Sequence, residues 1–180
     1  AARVGELAAA RRDPARARGH IERLARTTLD LVRGLDEIVW AVNPAKDRLD
    51  NFLSYIGAYA SEFSESTGIA CRTDLPAEIQ SQTLPASVRH NLFLVVKESL
   101  NNAAKHAVVH EVHVRVRVLD HQVQVEIADA GTGFDPASVR GGRHGLASLR
   151  QRMAEIGGEI RWETAPGKGT RVVARVPLPH

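Results

Sequence analysis

The sequence predicts an α+β fold, a mixed-sheet α/β sandwich with helices on one face, preceded by a separate helical segment. Three observations carry this. Two strictly alternating runs, Val112/Val114/Val116/Val118 and Val123/Val125/Ile127, are separated by a short polar turn and read as a β-hairpin. Helix-period segments and a second alternating pair follow in the order helix, hairpin, loop, helix, hairpin, which layers helices over a mixed sheet. Ahead of them Ile21, Leu24, Thr28, Leu31, Leu35, Ile38 and Val42 recur at alternating steps of three and four, a heptad seam that keeps one narrow stripe facing a partner helix.

The seam predicts a helix over 17–42, stopped at Asn43-Pro44 because proline disfavours helix in the residue before it. Val4 to Ala10 reads as the end of an earlier helix, with a turn at Arg11-Arg12-Asp13-Pro14. Two helices bury such a stripe poorly, so a homodimer forming a four-helix bundle is the economical solution. A second helix is expected from Leu49 to Ser64, with Leu49, Phe52, Leu53, Ile56, Tyr59, Ala60 and Phe63 on one face and Gly68 beyond its end. Ile69 to Asp74 reads as a strand, Pro76 to Pro85 as a polar loop, and Val88 to Ala107 as a third helix packing through Val88, Leu92, Val95 and Ala103. After the hairpin come a glycine-rich loop from Gly131 to Gly142 and a helix from Leu146 to Ile156, ended by Gly157-Gly158. A final strand pair, Ile160/Trp162 and Val172/Ala174/Val176, flanks the turn Pro166-Gly167-Lys168-Gly169.

Composition excludes several classes. At 180 residues and 43% hydrophobic the chain can bury a real core, and its longest apolar runs, such as Leu92 to Val96, fall far short of a membrane span. The start has no signal-peptide pattern. Cys71 is the single cysteine, which rules out disulfide frameworks, fits a reducing compartment, and reads as a buried strand residue. The net charge of +3 comes from scattered arginines without a dense basic block or interleaved aromatics, so no nucleic-acid partner is expected. His90, His110, His113, His121 and His180 lack metal-ligand spacing, and no zinc is expected.

Four short motifs carry chemistry. In Lys97-Glu98-Ser99-Leu100-Asn101-Asn102-Ala103-Ala104-Lys105-His106 the helical period puts Glu98, Asn102, Lys105 and His106 on one side, opposite the apolar face. Carboxylate and amide oxygens in one row suit Mg²⁺ or its waters, and the lysine offers charge to phosphate, although a solvated polar face has the same pattern. Asp129-Ala130-Gly131-Thr132-Gly133 ends the second hairpin strand. Its carboxylate can accept from an amine such as that of adenine, and its glycines permit close backbone approach; a plain turn reads the same. Gly141-Gly142-Arg143-His144-Gly145-Leu146 opens a helix whose amides suit an anion, without the lysine of a Walker loop. Gly167-Lys168-Gly169-Thr170 enters the last strand and taken alone is a hairpin turn.

In this order and spacing, from about Leu49 to Pro179, the four pieces resemble the Bergerat-type ATPases, and specifically the catalytic domain of sensor histidine kinases with a short lid. Glu98 and Asn102 look like the family's N box, Asp129-x-Gly131-x-Gly133 like its adenine box, and Gly145-Leu146 like its phosphate-side glycine box. Thr170 matches the threonine that shares a water with the adenine-binding aspartate. The segment Asp36-Glu37-Ile38-Val39-Trp40-Ala41-Val42-Asn43-Pro44 resembles the kinases' second dimerisation helix.

The resemblance implies a dimerisation segment over 1–46 and a catalytic domain over 47–180, with ATP and Mg²⁺ as cofactors. Asp129 would select adenine, Asn102 would hold the metal, and Lys105 and the Gly145 amide would neutralise phosphate. Glu98 would be a metal-water ligand or a proton acceptor, and His106, His144 and Leu146 would complete the nucleotide site. The γ-phosphoryl would pass to a histidine of the dimerisation domain and on to a response regulator receiver domain. The setting implied is cytoplasmic, as the inner part of a membrane-anchored sensor. Two positions depart from the pattern. Arg143 stands where the family often has glycine, and no histidine stands in the acceptor context: His20, in Arg18-Gly19-His20-Ile21-Glu22, is followed by isoleucine. The expected fragment therefore binds ATP without labelling itself. Two rival readings remain: a Bergerat-type serine kinase acting on a protein partner, and a non-catalytic dimeric scaffold.

Overall fold

The computed structural model describes residues 14–43, 46–76, 82–119, 121–135 and 144–178. The chain divides into two compact units, Ala1–Val42 and Asn43–His180. In the first, α1 spans Pro14–Val42. It includes Pro14, ahead of the expected start at 17. Ile21, Leu24, Leu31 and Leu35 are each more than half exposed along it, and Val32 and Val39 are exposed as well. The side chains of Ile38 and Val42, and the expected helix over 4–10, lie outside the described residues. Among the described residues no helix is long and apolar enough to cross a membrane.

The second unit runs α2 (Leu49–Thr67), β1 (Ala70–Asp74), α3 (Ala86–Asn102) continued by a π turn (Ala103–Ala107), β2 (Glu111–Leu119), β3 (Gln122–Asp129), α4 (His144–Glu155), β4 (Glu159–Thr164) and β5 (Thr170–Pro177). The five strands lie in the order β1-β2-β3-β5-β4. The β1–β2 pair is parallel and the rest are antiparallel. Strand alternation sorts the faces. Val112, Val114, Val116, Val123, Val125, Ile127, Val172, Ala174 and Val176 are buried, while His113, Arg115, Arg161 and Arg175 on the other face are exposed. All three helices of this unit cover the apolar face through Phe52, Ile56, Leu92, Val96, Leu149 and Met153. Phe93 of α3 meets Tyr55 and Tyr59 of α2 edge-on at centroid distances of 4.9 and 5.1 Å, which locks the two helices together.

The open sheet face is an ionic lattice. Glu126 lies between Arg171 at 2.7 Å and Arg115 at 3.4 Å, and the Arg171 hydrogen bond holds its carboxyl below the usual range. Asp74 bonds Arg117 and Arg115, which lower its pKa to about 2. Many of the scattered arginines are thus paired with carboxylates. Cys71 is half-buried on β1 rather than fully enclosed, and desolvation pushes its thiol up to about 11, leaving it protonated and a poor nucleophile at neutral pH.

The segment expected to be a polar loop from Pro76 to Pro85 is partly core. Leu84 is fully buried, its N–H donates to Asp47 O, and Thr83 pairs with Arg48 across a β-bridge. Residues 77–81 lie outside the described part. Arg89, on the buried face of α3, has no exposed surface and bonds Asp47 at 2.6 Å and the Asn43 carbonyl at 3.2 Å. It ties the chain entering this unit to the core. Breaking a buried pair by removing its carboxylate strands the charge, so Asp47→Ala should cost about 3 kcal/mol. Arg89→Met, which removes the charge itself, should cost less. Urea unfolding of both variants checks the order, and equal costs would mean that the pair carries no weight.

Candidate functional site

The site begins where α3 stops being an α-helix. After Asn102 the turn widens into the π segment Ala103–Ala107, and the chain leaves it through Val108 at φ 54, ψ 56. That left-handed conformation is unusual for a β-branched residue. Single π turns insert one extra residue, and here the insertion buries Ala103 and Ala107 while leaving Lys105 and His106 exposed at the rim. A plain α-helix to Ala107, the sequence expectation, would have rotated these side chains differently. Within α3, Glu98 and Asn102 are one turn apart, and the Asn102 amide donates to Glu98 Oε1 at 3.4 Å.

Across from α3, β3 ends at Asp129, whose Oδ1 accepts from the Gly131 N–H at 2.9 Å. The following loop is stitched to both neighbours. Thr132 N–H donates to Ala107 O at 3.0 Å and its hydroxyl to His106 O at 2.9 Å, fixing the loop to the π turn. Gly169 N–H donates to Gly131 O at 2.9 Å and Gly167 N–H to Thr132 O at 2.7 Å, fixing it to the β4–β5 turn. Two glycines make this closeness possible. A Cβ at Gly131 would sit 2.2 Å from Ala107 O, and one at Gly133, which has φ +56, would sit 2.1 Å from Ala165 O. The third wall is the start of α4, where Gly145 packs so near Glu98 that a Cβ there would lie 2.8 Å from Oε1.

These walls enclose a cavity of about 550 Å³ lined by Glu98, Asn102, Lys105, His106, Asp129, Gly133, Gly145, Leu146 and Thr170. Gly131 is not on the lining; its N–H holds it to Asp129, and its lack of a side chain lets it lie against Ala107. The His144 side chain, and all of Gly141, Gly142 and Arg143, lie outside the described residues. A smaller groove of about 180 Å³ opens on the far side of Glu98 and Gly145, flanked by Leu94, Lys97 and Arg152.

Several lining residues were not singled out in the sequence. Ile127, Val172 and Trp162 face the cavity from the sheet, and Thr132 and Phe134 from the loop. Alternation alone marked the first three as inward-facing, but an inward position is usually core, and no local signal says that the core is hollow there. Thr164, on β4, accepts from Phe134 N–H at 3.1 Å, donates to Gly169 O at 2.9 Å and lies 3.3 Å from the Thr170 hydroxyl. Asp129, Thr170 and Thr164 form one row across three strands.

A cavity of nucleotide size, walled by an acidic and amide helix face, a carboxylate with a glycine loop and a helix start, has a counterpart among known proteins. Residues 87–180 match the family of histidine kinase-, DNA gyrase B-, and HSP90-like ATPases. The chain belongs to that family. Similar proteins include the sensor histidine kinase LiaS of Bacillus subtilis, 31% identical over 105 residues that cover 58% of this chain and 29% of that one. A sensor-like histidine kinase of Chloroflexus aurantiacus is 32% identical and aligned over 93% of this chain and 29% of its own length. DegS of Brevibacillus brevis, a signal transduction histidine-protein kinase/phosphatase, is 32% identical over 120 residues, covering 67% and 31%. The chain thus spans less than a third of these relatives. Among solved structures, the histidine kinase domain of the Erythrobacter litoralis EL346 blue-light activated kinase superposes with a TM-score of 0.59 at 26% identity, covering 71% of this chain and 61% of that one. Acinetobacter baumannii AdeS, at 12% identity and a TM-score of 0.63, shares the fold; it covers 93% of this chain and 86% of that one.

Proposed function

We propose that this chain is the ATP-binding catalytic portion of a two-component sensor histidine kinase, moving the ATP γ-phosphoryl group to a histidine of a dimerisation domain and from there to a response regulator receiver domain. The observation that carries this is the convergence of Asp129, Asn102, Glu98, Lys105, Gly145 and Thr170 on one cavity. The relatives, all described as histidine kinases, favour this reading over a serine kinase or a scaffold.

In this reading Asp129 accepts a hydrogen bond from the adenine amine, with Thr170 and Thr164 beside it to hold a shared water. Lys105, His106, the Gly145 amide and Leu146 surround the triphosphate, and the start of α4 adds its dipole. One amide and one carboxylate, Asn102 and Glu98, are hard oxygen donors suited to Mg²⁺, which takes its other ligands from phosphate and water. Bound there, the ion would neutralise charge on the phosphates. Catalysis is then mainly positioning: the bond from γ-phosphorus to the ADP oxygen breaks as the acceptor imidazole nitrogen bonds to phosphorus. Glu98 borders both the cavity and the outer groove, which supports a role in taking the imidazole proton alongside its contact to Asn102. A cytoplasmic setting follows from this partner set.

Calorimetry with ATP, ADP and GTP tests the pocket. Binding should be adenine-specific, and Asp129→Asn should weaken it by about 1–3 kcal/mol, the scale of a buried charged hydrogen bond. Equal affinity for GTP would remove the assignment.

The exposed stripe Ile21, Leu24, Leu31 and Leu35 supports a homodimer through α1. Light scattering should show dimers, and Leu31→Glu with Leu35→Glu should give monomers that still bind ATP. A strict monomer before mutation would sink the bundle.

A further inference from the structure

Strand register lays two rows of side chains side by side on the floor of the cavity. Asp129, Thr170 and Thr164 form a polar row, and Ile127, Val172 and Trp162 form an apolar row two residues further along each strand. All of these except Thr164 line the cavity. Two residues of strand advance about 6.6 Å, comparable to the width of a purine. A base whose amino edge meets Asp129 and whose rings extend inward therefore crosses the apolar row.

At the end of that row the indole of Trp162 is only half-buried. The Arg150 guanidinium of α4 stands over it, 5.1 Å from the ring centroid. A cation over one side of an indole fixes the ring's orientation and favours the arrangement electrostatically. Helix α4 thereby reaches the base end through Arg150 by way of Trp162, in addition to the wall it forms with Gly145, Leu146 and Leu149.

We propose that Trp162 is a base-contacting residue of the nucleotide site and that Arg150 is the residue that positions it. The proposal rests on the nucleotide reading above. It assigns the purine an aromatic platform that none of the glycine or N-box motifs contains, and it ties occupancy of the base end to the helix that also frames the phosphate end.

The chain has two tryptophans, Trp40 on α1 and Trp162, so Trp40→Phe leaves Trp162 as the single indole reporter. In that background, titration with Mg-ADP should quench or shift the emission with the same affinity that calorimetry gives. Trp162→Ala should weaken Mg-ADP binding about tenfold, the scale of one base-stacking contact, and Trp162→Phe should recover most of it. Arg150→Ala should raise acrylamide quenching of the free protein and weaken binding a few-fold, and Arg150→Lys should restore both. Should Trp162→Ala fail to fold, Trp162→Leu and the emission of the unaltered indole decide. Calorimetric binding with unchanged emission and an unchanged Trp162→Ala affinity overturns the assignment while leaving the nucleotide site standing. Absence of Mg-ADP binding in every variant, the parent included, removes both.

Discussion

Gly131→Ala is expected to abolish measurable ATP binding and to lower stability by on the order of 3 kcal/mol, the upper range for overpacking. The added methyl would meet backbone, since Ala107 O lies 2.2 Å and Ala107 C 2.8 Å from it. No rotamer relieves such a contact. Either the loop lifts off the π turn, losing the Thr132 N–H to Ala107 O bond and the Gly131 N–H to Asp129 bond, or the π turn unwinds and carries Lys105 and His106 away. Both outcomes dismantle the cavity. Gly57→Ala is the control: its methyl would find only Leu75 Cδ1 at 3.8 Å, and in a helix interior the change should stabilise by up to about 1 kcal/mol. Thermal unfolding with calorimetry on both variants checks this, and a Gly131→Ala protein that binds ATP normally would show that the loop's closeness does not matter.

The second large effect is a separation of binding from transfer. The chain should bind ATP yet remain unlabelled with γ-labelled ATP, because Glu98, Asn102, Asp129, Gly145 and Thr170 line the proposed nucleotide cavity while none of its 180 residues places a histidine in the kinase acceptor pattern. A histidine-bearing dimerisation domain supplied with the chain should acquire an acid-labile, base-stable label. That label should vanish with Asn102→Ala, since positioning and charge neutralisation account for most of the rate in phosphoryl transfer. Labelling of the chain itself, lost on His20→Gln, would put the acceptor in α1. A stable label on serine would instead favour the serine-kinase reading.

Much of the fold was legible in sequence because its elements are strongly periodic. The β2–β3 hairpin followed from Val112 to Ile127 alone, and the inward set of β5 from Val172, Ala174 and Val176, because a sheet with one wet face must alternate. Helices α2 and α4 came within a few residues of their observed ends. The motifs Glu98-x-x-x-Asn102, Asp129-x-Gly131-x-Gly133 and Gly145-Leu146 marked residues that, Gly131 apart, the fold gathers around one cavity. These signals are local, carried by residues a few positions apart.

Tertiary structure decided what depends on residues distant in sequence. That α3 ends in a π turn is not written in Ala103–Ala107; it accompanies the docking of Thr132 onto His106 O and Ala107 O, a partner 25 or so residues further along the chain. The burial of Leu84 turned part of an expected loop into core, because Asp47 and Arg48 of another segment supply partners to Leu84 and Thr83, and Asp47 likewise pairs the buried Arg89 of α3. Trp162 was visible as an inward strand residue, yet only the register Ile127↔Val172↔Trp162 and the guanidinium of Arg150 make it part of the cavity floor. Periodicity fixes which way a side chain faces, whereas the hollow or filled space it faces is set by several elements at once, and no single stretch of sequence encodes that.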